Sequence, residues 1–137
     1  LMGLIKTPDL YTCGVNYVGV SNIETFFASF PEYWKPLTEM VKAIWYDLDD
    51  PEEAKIAREV SPVYQVDKIT KPLFVVQGAN DPRVNINESD QIVEKLRARG
   101  FEVPYMVKYN EGHGFYREEN SLEFYSTMLG FLSKYLK

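Results

Sequence analysis

The chain has 137 residues, 45% of them hydrophobic, which is enough for one folded core and too little for two ordinary domains. A formal net charge of −5 argues against nucleic acid or an anionic membrane as a partner, and no segment is apolar for the roughly 18 residues of a membrane span. Cys13 is the only cysteine, which excludes an internal disulfide and a cysteine-built metal site.

The first predicted elements lie in residues 1–49. Residues 1–5 have the pattern of a last helical turn and carry no basic leader, so we expect the sequence to begin inside a larger protein. Residues 13–20 are a continuous apolar run and predict a strand. Residues 22–49 predict at least two helical pieces separated at Pro31 and Pro36. This stretch is rich in aromatic residues, namely Phe26, Phe27, Phe30, Tyr33, Trp34, Trp45 and Tyr46.

The middle of the chain predicts a helix, a buried strand and another helix. Asp50 is a suitable N-cap, with Pro51 at the first helical position. Residues 72–77 are apolar except for the last and predict a strand buried on both faces. Asn87 is the predicted cap of a helix that runs to about residue 99, with Gly100 as its stop.

The last part of the chain predicts a strand at residues 102–109 and a final helix. Asn120 is the expected cap, with Glu123 as its capping-box partner. The resulting order, β-α-α-β-α-β-α, indicates an α/β protein with a mostly parallel sheet flanked by helices. Apolar residues expected to form the core face of the final helix are Leu122, Tyr125, Leu129, Leu132 and Leu136.

Two loops follow the second and third predicted strands, where folds of this class place ligands. The first contains Asp81, and the second contains His113, the only histidine, between two glycines. A histidine that acts as a general base needs a carboxylate on its second ring nitrogen, and the 32 residues between this pair allow one helix and one strand. Each residue alone is also typical of an ordinary turn. Their order along the chain is that of the acid and base of an α/β-hydrolase.

The chain also resembles the prolyl oligopeptidase family of serine peptidases, especially its acylaminoacyl-peptidase-like and dipeptidyl-peptidase-like branches. The resemblance covers nearly the whole chain and rests on an ordered set of motifs. These are residues 61–69, 71–78 (KPLFVVQG), 80–84 (NDPRV), 96–100 (LRARG) and 111–115 (EGHGF), while residues 1–10 resemble the helix that follows the family's nucleophile elbow.

This resemblance implies that residues 1–137 are the C-terminal portion of an α/β-hydrolase fold, beginning just after the nucleophile elbow of a peptidase domain. It implies that Asp81 is the triad acid and His113 the triad base. Arg83 matches a position where the family binds a substrate carbonyl with an arginine, although a structural salt bridge is the alternative. The aromatic residues of 26–46 are candidates for a substrate pocket, while their helical spacing favours core packing for most of them.

None of the chain's serines lies in a Gly-x-Ser-x-Gly frame; they are Ser21, Ser29, Ser61, Ser89, Ser121, Ser126 and Ser133. The nucleophile is therefore expected upstream of Leu1, and the chain alone is expected to be inactive. The predicted parent is a serine peptidase that hydrolyses oligopeptides through an acyl-enzyme. The alternatives are a carboxylesterase or deacetylase of the same fold and a non-catalytic interaction module.

The expected partner of the active protein is a peptide substrate, with no cofactor and no metal. One histidine, one cysteine and no HExxH pattern leave no basis for a metal site. A first strand that lacks a neighbour on one side would leave an apolar sheet edge, so we expect the isolated chain to self-associate. A single cysteine fits a reducing compartment, as in the cytoplasm, without establishing one.

Overall fold

Parallel strands form the centre of the chain in the computed structural model, which describes residues 1–136. Within these residues one sheet has three strands, β1 (Gly14–Tyr17), β2 (Leu73–Gly78) and β3 (Tyr105–Lys108), in the order β1-β2-β3. Both pairs are parallel, with β2 in the centre. Every residue of β2 is buried, as its continuous apolar run predicts. In register, Gly14 to Tyr17 pair with Leu73 to Val76, and Val75 to Gly78 pair with Tyr105 to Lys108.

The outer strands are shorter than the sequence predicts. The predicted strand at residues 13–20 ends at Tyr17, because Val18 turns into the left-handed region with a φ of 51°. The predicted strand at residues 102–109 begins only at Tyr105, because Pro104 has no amide hydrogen for the ladder and contributes only its carbonyl, which accepts the Val75 amide.

Helices flank both faces of the sheet. Their bounds are α1 (Met2–Lys6), α2 (Ile23–Ala28), α3 (Thr38–Ile44), α4 (Pro51–Val60), α5 (Asn87–Ala98) and α6 (Glu118–Tyr135). Between α2 and α3 the chain forms a 3₁₀ segment, Glu32–Leu37, where Pro31 and Pro36 interrupt regular α-helix as predicted. The connection between the first two strands holds three α helices, as the two helical pieces of residues 22–49 and the helix after Asp50 predict, so the summary order β-α-α-β-α-β-α has one helix too few.

The predicted caps have mixed outcomes. Asp50 caps α4, since its carboxylate accepts the amides of Glu52 and Glu53 at 2.8 and 3.1 Å. The prediction for Asn87 is wrong: Asn87 is the first residue of α5, and the side chain of Asn85 accepts its amide at 3.0 Å. Gly100 follows α5 with a φ of +74°, as a C-terminal stop requires.

The prediction for the start of α6 is also wrong, and so is the prediction of its core face. The helix begins at Glu118, so Asn120 is its third residue and is buried. Phe124 is buried on the same face, with Met128 and Phe131 packed beside it. Of the predicted core residues, Leu132 is half-buried, and the others are mostly exposed, namely Leu122, Tyr125, Leu129 and Leu136. Since the bulkier aromatic face packs against the sheet, the leucine stripe lies on the outer surface.

The strand β2 divides the interior into two cores. Leu73 and Val75 point to one face, where α1 and α5 cover them, and Phe74 and Val76 point to the other, under Phe124 of α6. This alternation follows from the two-residue period of a strand. No helix within residues 1–136 is both long and apolar enough to span a membrane.

Candidate active site

The two loops singled out in the sequence meet at the carboxyl edge of the sheet. Asp81 follows β2 and His113 follows β3, and these strands are direct neighbours. The Nδ1 atom of His113 lies 2.8 Å from Oδ2 of Asp81. The Asp81 side chain is fully buried, whereas 32% of the His113 side chain is exposed. The structure therefore joins the two predicted residues and leaves the histidine accessible from outside.

The Asp81 carboxylate is held on both oxygens. Oδ1 accepts the backbone amides of Arg83 and Val84 at 2.8 and 2.9 Å, which closes a tight turn around the carboxylate. Oδ2 faces His113, with Nε2 of Gln77 at 3.4 Å. Such a carboxylate has little freedom to rotate away from the imidazole.

Gln77 was missed by the sequence reasoning. It is fully buried at the end of β2, where its Nε2 donates to the Val84 carbonyl at 3.0 Å and its Oε1 accepts from Ser89 Oγ at 3.0 Å. Its amide thus holds the turn that contains Asp81. The available signal was the single polar residue in the otherwise apolar run 72–77, because a buried polar side chain requires partners.

The geometry assigns a tautomer to His113. A carboxylate at 2.8 Å from Nδ1 is an acceptor, so the proton of the neutral ring belongs on Nδ1. Nε2 then carries a lone pair, and it makes no hydrogen bond within residues 1–136. An imidazole in this state can accept a proton from a hydroxyl group and later return it.

Close backbone contact brings the two loops together. A Cβ atom on Gly78 would lie 2.1 Å from the Gly112 carbonyl oxygen, so only glycine fits at the end of β2. The Asn80 amide donates to the Glu111 carbonyl at 2.9 Å, and Asn80 Nδ2 donates to the Tyr109 carbonyl at 2.7 Å. Gly114 adopts a φ of +106°, which favours glycine there also.

Glu111 is a second residue that the sequence reasoning did not single out. Its carboxylate is buried and accepts the amides of Tyr116 and Arg117 at 3.0 and 2.9 Å, together with Asn120 Nδ2 at 2.7 Å. Burial alone would raise the pKa of the Glu111 carboxyl, but these three hydrogen bonds hold that pKa below its ordinary value. The charged carboxylate is therefore the form that the fold stabilises.

Arg83 lies beside the pair but does not join it. The residue is exposed, and only its backbone amide contacts Asp81. Within residues 1–136 its guanidinium forms no salt bridge, so the structural salt bridge that was the alternative is not formed there. The side chain is free to contact a ligand at this edge of the sheet.

The serines of the chain are occupied elsewhere. Five hydroxyl groups donate to acceptors away from His113, namely those of Ser21, Ser29, Ser61, Ser89 and Ser121. Ser126 and Ser133 are exposed on α6. No serine within residues 1–136 contacts the imidazole. The same range holds no group of three His, Cys, Asp or Glu side chains that could bind a metal ion.

The predicted aromatic segment forms a cluster of its own. Phe26 is buried at its centre, and Trp45 stacks on Phe26 and Phe27 with ring centroids 5.9 Å from each. Phe27 and Phe30 also line a cavity of about 310 Å³. Core packing and the lining of a cavity therefore coexist in this segment.

A second cavity, of about 500 Å³, opens beside the carboxyl end of β1 and is lined by Asn16, Gly19 and Val20 among others. Within residues 1–136, Nδ2 of Asn16 is the only buried side-chain nitrogen or oxygen atom without a hydrogen-bond partner.

Comparison with known families and proteins identifies relatives along the full chain. A model of the prolyl oligopeptidase family matches residues 1–137. Dipeptidyl aminopeptidase BIII of Pseudoxanthomonas mexicana is 43% identical over 136 residues, which are 99% of this chain and 20% of that protein. Dipeptidyl peptidase family member 6 of Caenorhabditis elegans is 36% identical over 137 residues, 99% of this chain and 18% of that protein. The chain thus spans about a fifth of the length of these curated relatives.

Solved structures share the fold. A puromycin-hydrolyzing peptidase of Mycobacterium tuberculosis superposes with a TM-score of 0.85 at 22% identity, over 96% of this chain and 19% of that one. The acylaminoacyl peptidase of Pyrococcus horikoshii superposes with a TM-score of 0.80 at 20% identity, over 98% of this chain and 22% of that one. The fold of the chain is therefore the α/β-hydrolase fold, with a parallel sheet flanked by helices.

Proposed function

Because this chain belongs to the prolyl oligopeptidase family, we propose that the full-length protein is a serine peptidase in which Asp81 and His113 are the acid and base of the triad. The observation that carries this proposal is the 2.8 Å contact between His113 Nδ1 and Asp81 Oδ2 at the ends of adjacent strands. Burial of the acid and exposure of the histidine are what a hydroxyl nucleophile requires of its partners.

The proposed reaction uses a serine that precedes Leu1. Its hydroxyl oxygen attacks the scissile carbonyl carbon while His113 Nε2 accepts the hydroxyl proton. Asp81 keeps the imidazole oriented and stabilises its positive charge. His113 then gives the proton to the leaving amine as the carbon–nitrogen bond breaks, which leaves an acyl-enzyme. A water molecule, deprotonated by His113, hydrolyses the ester and restores the serine.

Arg83 is our candidate for substrate binding. Its guanidinium is exposed beside the Asp81 turn and has no ion pair within residues 1–136. An unpaired guanidinium at the edge of the site can donate to a peptide carbonyl. We expect it to contribute to substrate affinity rather than to the chemical step.

The names of the relatives point to peptides as the substrates of this protein. Two of them carry dipeptidyl peptidase or aminopeptidase names and are 43% and 36% identical to this chain. We therefore propose that oligopeptides, rather than carbohydrate or carboxylic esters, are the physiological substrates. Hydrolysis of a set of peptide amides faster than the matching esters of acetylated sugars would support this choice, and the reverse order would favour a deacetylase.

The test of the mechanism is fluorophosphonate labelling of the full-length protein, with His113→Ala as the comparison. We expect one labelled serine upstream of Leu1 and loss of labelling in the variant, because the serine is a weak nucleophile without its base. The 137-residue chain alone should not label. A folded full-length protein without label would favour the non-catalytic module, and labelling of the isolated chain would contradict an upstream nucleophile.

A further inference from the structure

Hydrogen bonds hold the loop that carries His113 on both sides of the histidine. On the incoming side, the Glu111 carbonyl accepts the Asn80 amide at 2.9 Å. On the outgoing side, the Phe115 amide donates to the Tyr17 hydroxyl, and the Phe115 carbonyl accepts from Ser121 Oγ at 3.0 Å. The backbone of His113 itself lies between two glycines. Its position therefore depends on how firmly the two ends are held together.

Glu111 closes this loop. The residue precedes the histidine by two positions, and its carboxylate receives the amides of Tyr116 and Arg117 beyond it. Those amides belong to the two residues immediately before α6, next to the N-terminus of the helix, where a negative charge is favourable. Asn120, from the first turn of α6, donates to the same carboxylate at 2.7 Å. One buried side chain thus joins the incoming strand end, the outgoing loop and the helix.

Asn120 is the partner of Glu111 in this arrangement rather than a helix cap. It is buried, and its Nδ2 donates to Asn110 Oδ1 at 3.0 Å as well as to Glu111. Both of these acceptors precede His113. Asn120 is the third residue of α6, so its side chain does not cap the helix. It points inward to two polar residues of the His113 loop and fixes that loop.

We propose that Glu111 is a positioning residue for His113, with Asn120 as its partner. The inference rests on the proposed function, since it assigns Glu111 a role in keeping the imidazole aligned for proton transfer. Glu111 does not contact the imidazole and acts through the backbone of residues 112–117. Its removal should lower the rate of the chemical step more than it lowers substrate binding, because displacements of about 1 Å in a catalytic group cost on the order of 100-fold in rate.

The test measures kcat and KM for p-nitrophenyl acetate with the full-length protein and its Glu111→Gln variant. Glutamine keeps the shape but places an NH₂ group against backbone amides that need an acceptor. We expect kcat to fall on the order of 100-fold with KM nearly unchanged. The control variant is Glu119→Gln, at an exposed carboxylate beside Asn120 in the first turn of α6. It should retain full activity.

Two further variants separate positioning from loss of stability. Asn120→Asp should also lower kcat, since it sets two carboxylates against each other. Asp50→Ala removes the cap of α4, which lies away from both loops. It therefore shows how much activity is lost when only Tm is lowered.

Three outcomes would overturn the inference. A wild-type protein that neither labels nor hydrolyses the ester overturns the proposed function and this inference with it. An active wild type whose Glu111→Gln variant loses no more activity than Asp50→Ala at equal loss of Tm overturns only the inference. An Asn120→Asp variant that keeps the kcat of the wild type does the same.

Discussion

The carboxylates at residues 81 and 111 are buried for different purposes. Asp81 uses two backbone amides to hold one oxygen and offers the other to His113. Glu111 uses both oxygens for backbone amides and Asn120, and offers nothing outward. A buried charge is stable only when its acceptor sites are filled. The two carboxylates meet this requirement, one as the proposed triad acid and the other as part of the loop.

Two glycine substitutions give a prediction at this scale. Gly78→Ala should destabilise the protein by about 1 to 3 kcal/mol, because the new Cβ would lie 2.1 Å from the Gly112 carbonyl oxygen and force the two loops apart. Gly130→Ala, within α6, meets no atom within 4 Å and should stabilise the protein by about 0.5 to 1 kcal/mol. Urea unfolding measures both. Equal effects of the two changes would contradict the contact.

At the scale of elements, a buried carboxylate also positions α2. Oε2 of Glu88, from the first turn of α5, accepts the amides of Ser21 and Asn22 at 3.0 and 2.8 Å. The Ile23 amide donates to Ser61 Oγ at 3.0 Å. The start of α2, which carries the aromatic cluster, is thus held by α5 and by the segment after α4. Through these hydrogen bonds the aromatic cluster is linked to α5, the helix that follows the Asp81 loop.

A prediction at the scale of elements concerns the N-cap of α4. Asp50→Ala should lower the free energy of unfolding by about 1 kcal/mol, since the amides of Glu52 and Glu53 lose their acceptor. Asp50→Asn should retain most of the stability, because an asparagine oxygen can accept the same bonds. Thermal unfolding followed by circular dichroism measures the difference. A loss of the same size in Asp50→Asn would mean that charge rather than capping matters.

At the scale of the whole molecule, two apolar surfaces lack a covering within residues 1–136. One is the free edge of β1, which pairs only with β2 there. The other is the leucine stripe of α6, formed by Leu122, Tyr125, Leu129 and Leu136. Unpaired strand edges and contiguous apolar surfaces favour association. The isolated chain therefore has two independent reasons to self-associate.

We predict that the isolated 137-residue chain exceeds its monomer mass of 15.9 kDa in light scattering. Leu129→Glu, in the middle of the leucine stripe, should reduce the measured mass if α6 forms the contact. An unchanged mass in this variant would direct attention to the β1 edge. A monomer at all concentrations in the unaltered chain would contradict self-association altogether.

The three strands in chain order and the loops that follow β2 and β3 could be predicted from the sequence, because they depend on local properties. Residues 72–77 are apolar on both faces, and Asp50 and Gly100 stand at helix ends where their chemistry is required. Asp81 and His113 follow neighbouring strands of a parallel sheet, so their proximity follows from topology. Such features need no knowledge of which distant residues pack together.

Only the tertiary structure decided what the remaining polar residues do and which face of α6 is buried. Glu88, Glu111 and Asn120 have the pattern of solvated or capping residues, yet all three are buried against partners from other segments. The final helix has two apolar faces, and its spacing alone did not distinguish them. Burial depends on what the sheet presents opposite each residue, and this is a property of the assembled chain that no short stretch of sequence contains.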